Sequence, residues 1–341
     1  MKALGKPKTA PITLAVNWLK ERHAMWIRRK VEQRFPPWSN DPLMCKYSWT
    51  NTTRRRDRGT LHWYSSVYAP WLKNFAPKYP ELLVFNTCLY RIFNRITTWE
   101  TIAAANKQPI VTDWYKPTRE RIIKALEAYR DEEGGKIFTQ AYFTWGGGAK
   151  RKIGTGNKPR FYIDECIATA WEQRKYIAQA IEAMQTQEAA YVEIKRCLAF
   201  GGFIASQIVY DLTYTSLYGN TRPPIYSGRG EEPLDVPFEE MPVTLAPGSG
   251  KHIKDFNQWV MCGPGATQFL RLCWPDHAFG KEEAVIAGCI AFWKALKSRS
   301  TAQAITELDL HDAENALCEC WKLHKLKQEE VRFNPRRYFQ R

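Results

Sequence analysis

Two glycine-rich turns, each leading from an apolar stretch into a run with helical spacing, limit what this chain can fold into more than any other feature. In Val260-Met261-Cys262-Gly263-Pro264-Gly265-Ala266, the glycines at 263 and 265 permit backbone angles that other residues resist. Pro264 suits the first turn of a helix running through Phe269 and Leu272. The second stretch, Leu198-Ala199-Phe200-Gly201-Gly202-Phe203-Ile204-Ala205, opens a helix towards Asp211-Leu212. Bare main-chain N–H groups at such a turn approach an anion closely. Turn chemistry alone leaves two uses open: a hairpin between helices that grips a phosphate, through Gly263, Pro264, Gly265, Ala266, Gly201 and Gly202, and an ordinary connection between helices.

The charge favours the first use. The formal net charge is +15, and residues 1 to 60 hold 14 Lys or Arg against 4 Asp or Glu, so a polyanion is the expected partner. With 341 residues and 14 tryptophans, the chain has the material for a full core. Its nine cysteines are scattered and mostly inside apolar runs, as buried thiols of a reducing compartment are, and Cys318-x-Cys320 has no second pair to complete a zinc site. We therefore expect no metal and no cofactor. No apolar run is long enough to span a bilayer, so no membrane partner is expected and the protein is placed in the cytoplasm.

Along the chain, residues 1–13 read as a basic flexible arm, and a helix follows with Val16, Leu19, Trp26 and Ile27 near one face. It stops before Pro36-Pro37. Next come Trp38, Asp41-Pro42 and Tyr47-Ser48-Trp49-Thr50-Asn51, then Arg54-Arg55-Arg56-Asp57-Arg58. Those cations serve equally as a solvated helix face or as a phosphate pocket in which Asp57 steadies a guanidinium. From Leu82 to Ala105 the spacing predicts one helix, with Asn86, Tyr90 and Asn94 in a stripe that is either a buried network or a site. A short helix begins at Pro117 and ends near Asp131. Residues 137–144 and 160–163 read as a small β-hairpin around a basic glycine-rich loop, whose Lys150, Arg151 and Lys152 are expected on DNA. A long helix starts at Asp164, and residues 219–250 form an extended excursion. Within and just beyond that excursion, Ala246-Pro247-Gly248-Ser249-Gly250-Lys251-His252 lacks the first glycine and the final Ser or Thr of a nucleotide-binding loop. Helices follow at 281–297 and 309–330. The fold class is mainly α, a helix-hairpin-helix, glycosylase-like body with one small β-hairpin. Residues 14–341 form one domain, with possible sub-lobes 14–135 and 164–341.

In order along the chain, the motifs are Pro37-Trp38 with Asp41-Pro42; Tyr47, Thr50-Asn51, Arg54 and Asp57-Arg58; Leu89-Tyr90-Arg91, Phe93-Asn94-Arg95 and Thr98-Trp99-Glu100; Phe138-Thr139 with Ala141-Tyr142; Ala205 to Asp211-Leu212; Gly263-Pro264-Gly265-Ala266; and Leu317-Cys318-Glu319. Together they resemble the alpha-glutamyl/putrescinyl thymine pyrophosphorylase family, which includes phage amino acid:DNA transferases and is similar to the helical domain of 5-hydroxymethyluracil DNA kinases. Ser39-Asn40 departs from the Thr-Asp more usual there, and Cys320 from an aromatic. The resemblance implies a reaction on double-stranded DNA containing phosphorylated 5-hydroxymethyluracil, the product of a companion kinase. A free amino acid or a polyamine replaces the activated oxygen, and the hypermodified thymine shields a phage genome from host nucleases.

Such a substitution needs the base flipped out of the duplex, the leaving phosphate neutralised and the amine deprotonated. Trp38, Trp49 and Tyr90 are candidates to stack on the base, and Asn51 and Asn94 suit the uracil edge. Arg54, Arg58, Arg91 and Arg95 are candidates for the phosphate, with Asp41 beside them as a substrate-binding residue. Asp57, Asp211 and Glu319 are the candidate bases, and Arg54, Asp57, Arg91 and Asp211 are expected to share a cleft. Two other readings stay open. A glycosylase acting on modified uracil needs a catalytic Asp beyond a hairpin, where Asp211 and Asp276 come too early and Asp235 too late. A non-catalytic DNA-binding partner of the kinase needs only the charge.

Overall fold

The computed structural model describes residues 4–132, 134–139, 158–219, 224–226, 243–245 and 252–328. The basic triplet Lys150, Arg151 and Lys152 and most of the nucleotide-loop lookalike lie outside them. Two compact units are present, one made of the described residues of Met1–Asp57, Pro223–Ala246 and Phe256–Arg341, the other of those of Arg58–Arg222 and Pro247–Asp255. The lobes expected at 14–135 and 164–341 cut across this division.

The first unit brings described stretches from early and late in the sequence together. Helix α1 (Thr9–Trp26), extended by a π turn at Ile27–Val31, presents Ile12, Ala15, Trp18 and Leu19 as a buried face. The helix starts inside the stretch expected as a loose arm. Lys8 donates its N–H to Cys273 O at 2.9 Å, and Trp274 Nε1 reaches Gly5 O at 2.7 Å. Helix α2 (Pro42–Lys46) is short and capped by Asp41, whose Oδ1 accepts from Leu43 N at 2.8 Å. Four C-terminal helices of this unit follow later in the chain: Pro264–Cys273, Glu282–Arg299, Gln303–Thr306 and Leu310–Lys327. The last starts on a capping box in which Asp309 and Asp312 each accept the other's backbone N–H. Strands β1 (Pro224–Tyr226) and β2 (Val243–Leu245) pair antiparallel, with Ile225 opposite Thr244.

In the second unit, α3 (Arg58–Trp63) and α4 (Ala69–Asn74) are joined by a π turn at Tyr64–Tyr68. Helix α5 (Pro80–Phe93) is the centre of this unit, with every residue from Leu82 to Phe93 buried. Asn94 ends it in the left-handed region at φ 47°, so the single helix expected over Leu82–Ala105 is two, the second being α6 (Ile96–Asn106). Asparagine tolerates that conformation because its short amide bonds locally. Helix α7 is Lys116–Asp131 and α8 is Lys158–Phe161. Residues 160–163, expected as the second strand of a hairpin, are helical: α8 runs through a π turn at Tyr162–Cys166 into α9 (Ile167–Met184). The apolar residues Tyr162, Ile163, Cys166, Ile167 and Ala170 all enter the core, a helical spacing that the short window read as a strand hid. Helices α10 (Gln187–Ile194) and α11 (Gly202–Thr213) complete the unit. Phe85 on α5 sits edge-on to Trp114 at 5.0 Å and to Trp171 at 4.8 Å.

The two glycine turns differ. Gly201 does join two helices, α10 and α11, and stands exposed with nothing within 4 Å of where a Cβ would be. The Gly-Pro-Gly turn has a helix only after it: residues 252–263 are turns and irregular backbone, and α12 (Pro264–Cys273) begins at the proline. The later helices are α13 (Glu282–Arg299), α14 (Gln303–Thr306) and α15 (Leu310–Lys327). Among the described residues no helix is long and apolar enough to cross a membrane.

Candidate functional site

In the second unit, residues far apart in sequence converge on Arg91. Its guanidinium grips both oxygens of Asp211 on α11, through Nε to Oδ2 and through Nη2 to Oδ1 at 2.9 Å. Nη2 also reaches Thr60 Oγ1 at 2.9 Å, and Thr60 donates to Asp211 Oδ1 at 3.2 Å. Nη1 bonds Asn94 Oδ1 at 2.5 Å, a contact made possible by the left-handed turn at Asn94. Arg91 is 2% exposed and Asp211 0%, so the pair is a dry, bidentate brace across α3, α5 and α11. Asp211, expected as a general base, has its carboxylate held by Arg91 and Thr60. Tyr90, expected to stack on a base, is itself buried at 2%. Arg95 caps α6 and bonds Thr97 Oγ1 at 3.0 Å.

Next to the brace lies a polar edge centred on His62, a residue that the sequence motifs did not single out. Tyr90 Oη donates to Gly59 O at 3.0 Å and meets His62 Nδ1 at 3.2 Å. The other ring nitrogen of His62 lies 3.2 Å from Ser66 Oγ and 3.9 Å from a carboxylate oxygen of Glu100. Asn86, in the same stripe as Tyr90, is structural: its amide bonds Val111 N and O, both at 2.8 Å.

The first unit holds the remaining candidates. Asn51 is committed to the fold, accepting from Arg22 Nη2 at 2.5 Å and donating to Arg56 O at 2.7 Å. Arg54 is 8% exposed, and its backbone N–H donates to Asp312 at 2.7 Å. Arg55 and Arg56 share Glu307 Oε2, each at 2.6 Å. Burial opposes the Glu307 charge, yet Gln303 and the two arginines hold its carboxyl below the usual range. Asp57 is half-buried, Arg58 in the second unit is exposed, and Glu319 pairs with Lys322 at 3.3 Å. Of the four residues expected to share a cleft, Arg91 and Asp211 meet in the second unit, while Arg54 and Asp57 belong to the first. Trp38 donates from Nε1 to Arg34 O at 2.7 Å and carries Arg29 5.0 Å from its ring. Asp41 with Asn40 lines a cleft of about 490 Å³ floored by Leu14, Trp18, Met44 and Leu323.

The Gly-Pro-Gly turn meets an acid of its own chain. Gly263 N–H donates to Glu314 Oε1 at 2.9 Å, and Cys318 Sγ lies 3.5 Å from the same oxygen. Burial pushes the Glu314 carboxyl up to about 7, against the lowering effect of Gly263 and Cys318. A Cβ on Gly265 would stand 3.3 Å from Cys318 Sγ, which explains the second glycine by close packing on α15. Glu314 escaped the sequence reading because nothing local marks it; the neighbouring Cys318-Glu319 drew attention instead. Among the described residues no group of His, Cys, Asp and Glu has the geometry of a metal site.

A family model described as 5-hmdU DNA kinase, helical domain, matches residues 9–223 and 251–332. A 5-hmdU DNA kinase of Bacillus phage SP10 is 37% identical over 125 residues, which is 37% of this chain and 18% of that protein. The match thus spans less than a fifth of the relative's length. No solved structure matches the chain.

Proposed function

Because the chain belongs to the family of the 5-hmdU DNA kinase helical domain, we propose that it acts on double-stranded DNA carrying phosphorylated 5-hydroxymethyluracil. In this reading it is an amine:DNA transferase. It replaces the phosphate with the nitrogen of a free amino acid or a polyamine, and works after a kinase in the cytoplasm of a phage-infected cell. The hypermodified thymidine then resists host restriction.

The observation that carries the reading is the convergence at Arg91. Tyr90, Arg91, Asn94, Trp99 and Glu100, all from the motifs on which the resemblance rests, gather with Asp211 around one buried pair, and His62 opens beside it towards Glu100. An ion pair this dry stabilises little by itself, so its use is to fix side chains in place. Asp211 and Arg91 act here as positioning residues. The glycosylase-like use of the turns assigns a DNA backbone contact to the exposed Gly201-Gly202 turn. Within the second unit, Arg58 and Arg95 receive phosphate and Asn94 lines the base. Flipping the nucleotide costs a few kcal/mol, supplied by contacts to the extruded base and backbone.

The test is a duplex oligonucleotide with one 5-phosphomethyl-deoxyuridine, incubated with glycine, other amino acids and putrescine, then digested to nucleosides and weighed. The mass gained identifies the amine. An unchanged base with every amine rejects the transferase. A non-catalytic DNA-binding role, favoured by the net charge of +15, then predicts duplex binding that falls steeply with salt and yields no product.

A further inference from the structure

We infer that His62, with Glu100, is the couple that binds and deprotonates the amine. The inference rests on the transferase reading above and assigns a base that the sequence motifs did not include.

The hydrogen bonds fix the state of the imidazole. Tyr90 has one hydroxyl hydrogen, and it goes to Gly59 O at 3.0 Å. Towards His62 Nδ1, 3.2 Å away, the phenol oxygen is therefore an acceptor, and Nδ1 carries the proton. In the neutral ring the lone pair then sits on Nε2, and Ser66 donates to it at 3.2 Å. A base within hydrogen-bond reach of a hydroxyl and oriented by a third group is the arrangement that proton-transfer sites use. Tyr90 is locked in turn: its ring stacks on His62 at 5.8 Å, packs on Trp99 at 5.6 Å and lies under the Arg91 guanidinium at 5.3 Å. The Arg91–Asp211 brace thus holds the residue that holds the base.

The environment suits a cation. The Glu100 carboxylate stands 3.9 Å from Nε2 with its side chain 60% exposed, while the His62 side chain is 11% exposed. An ammonium on Glu100 would have the Nε2 lone pair beside it. His62 also sits in the last turn of α3, just before the backbone widens into the π turn Tyr64–Tyr68, and π turns recur at functional sites. That turn brings Ser66 onto the same edge.

The step balances without a further reactant. Glu100 attracts R–NH3+, and Nε2 takes one proton to give imidazolium and R–NH2. The nitrogen lone pair forms the C–N bond at the exocyclic methylene. The C–O bond breaks, and phosphate leaves with its electron pair. The secondary ammonium and the imidazolium each release a proton to solvent, which returns His62 to its neutral form.

The experiment compares amines of different basicity on the phosphomethyl oligonucleotide. Glycine and putrescine are ammonium ions at pH 7 and need a base, whereas hydroxylamine is already largely neutral. His62→Ala is expected to slow product formation from glycine and putrescine by about 100-fold or more and to leave hydroxylamine at the wild-type rate. Added imidazole should restore part of the loss. Glu100→Gln, an exposed and structurally mild change, should raise KM for putrescine and not for hydroxylamine, and it carries the test if His62→Ala does not fold. Equal losses with all three amines, or none, overturn the assignment of the base while leaving the transferase intact. No product from the wild type with any of the three rejects the transferase reading and this inference with it.

Discussion

Gly263 and Glu314 are 51 positions apart, and the backbone N–H of one donates to the carboxylate of the other at 2.9 Å. The first donor of the Gly-Pro-Gly turn is thereby bonded inside the protein, at a carboxyl that burial holds near 7.

This makes Glu314 a source of pH-dependent stability. Its folded pKa lies above the unfolded value, so the stabilising contribution is complete below about pH 4.5 and is lost as pH rises through about 7. The loss is on the order of 3 kcal/mol. Glu314→Gln keeps an acceptor for Gly263 and removes the titration. Urea unfolding of wild type and variant should diverge between pH 5 and pH 8, with the variant the more stable at the upper end.

Glu307 has the opposite sign. Its folded pKa is depressed, so its contribution is present above the unfolded value near 4.5 and is lost as pH falls through the folded pKa. Glu307→Gln leaves Arg55 and Arg56 without their shared anion and should destabilise at pH 7 by about 2–4 kcal/mol. The difference from wild type should shrink as the solution is acidified, measured by the same denaturant titrations.

Breaking the Arg91–Asp211 brace from one side leaves a buried charge. Arg91→Met or Asp211→Leu should each cost about 3–5 kcal/mol. The double variant Arg91→Met with Asp211→Leu should cost less than the sum. A double-mutant cycle on unfolding free energies reads that coupling directly.

The glycines separate packing from ligand contact. A Cβ on Gly288 would stand 2.5 Å from Phe279 Cε1 and 3.0 Å from Leu270 Cδ1, so Gly288→Ala should destabilise by about 1–3 kcal/mol. Gly201 has open space, and Gly201→Ala should leave the melting temperature nearly unchanged. If the main chain of that turn lies against a DNA phosphate, fluorescence anisotropy with a labelled duplex should show weaker binding by this variant alone.

Helices with strong apolar spacing were readable in advance. The spans expected at Pro117–Asp131, 281–297 and 309–330 differ from Lys116–Asp131, Glu282–Arg299 and Leu310–Lys327 by only a few residues at each end. The break at Asn94 was hidden because its left-handed backbone is stabilised by Arg91, a partner on the preceding helix that composition does not mark. Residues 160–163 misled because four residues are too few to tell a strand from a buried helical turn. Arg91 and Asp211 were singled out separately, but their pairing is a tertiary fact across 120 positions. His62 carried no signal at all: its meaning comes from Tyr90, Ser66 and Glu100 around it.

The first unit is assembled from Met1–Asp57 and Phe256–Arg341. The helices that cover the apolar face of α1 begin only at Pro264, so during synthesis that face is made long before its cover. In that interval the second unit can close while Ile12, Trp18 and Leu19 lie open to water and to chaperones. Nascent chains halted before residue 256 should therefore protect α5 from amide exchange and leave α1 unprotected.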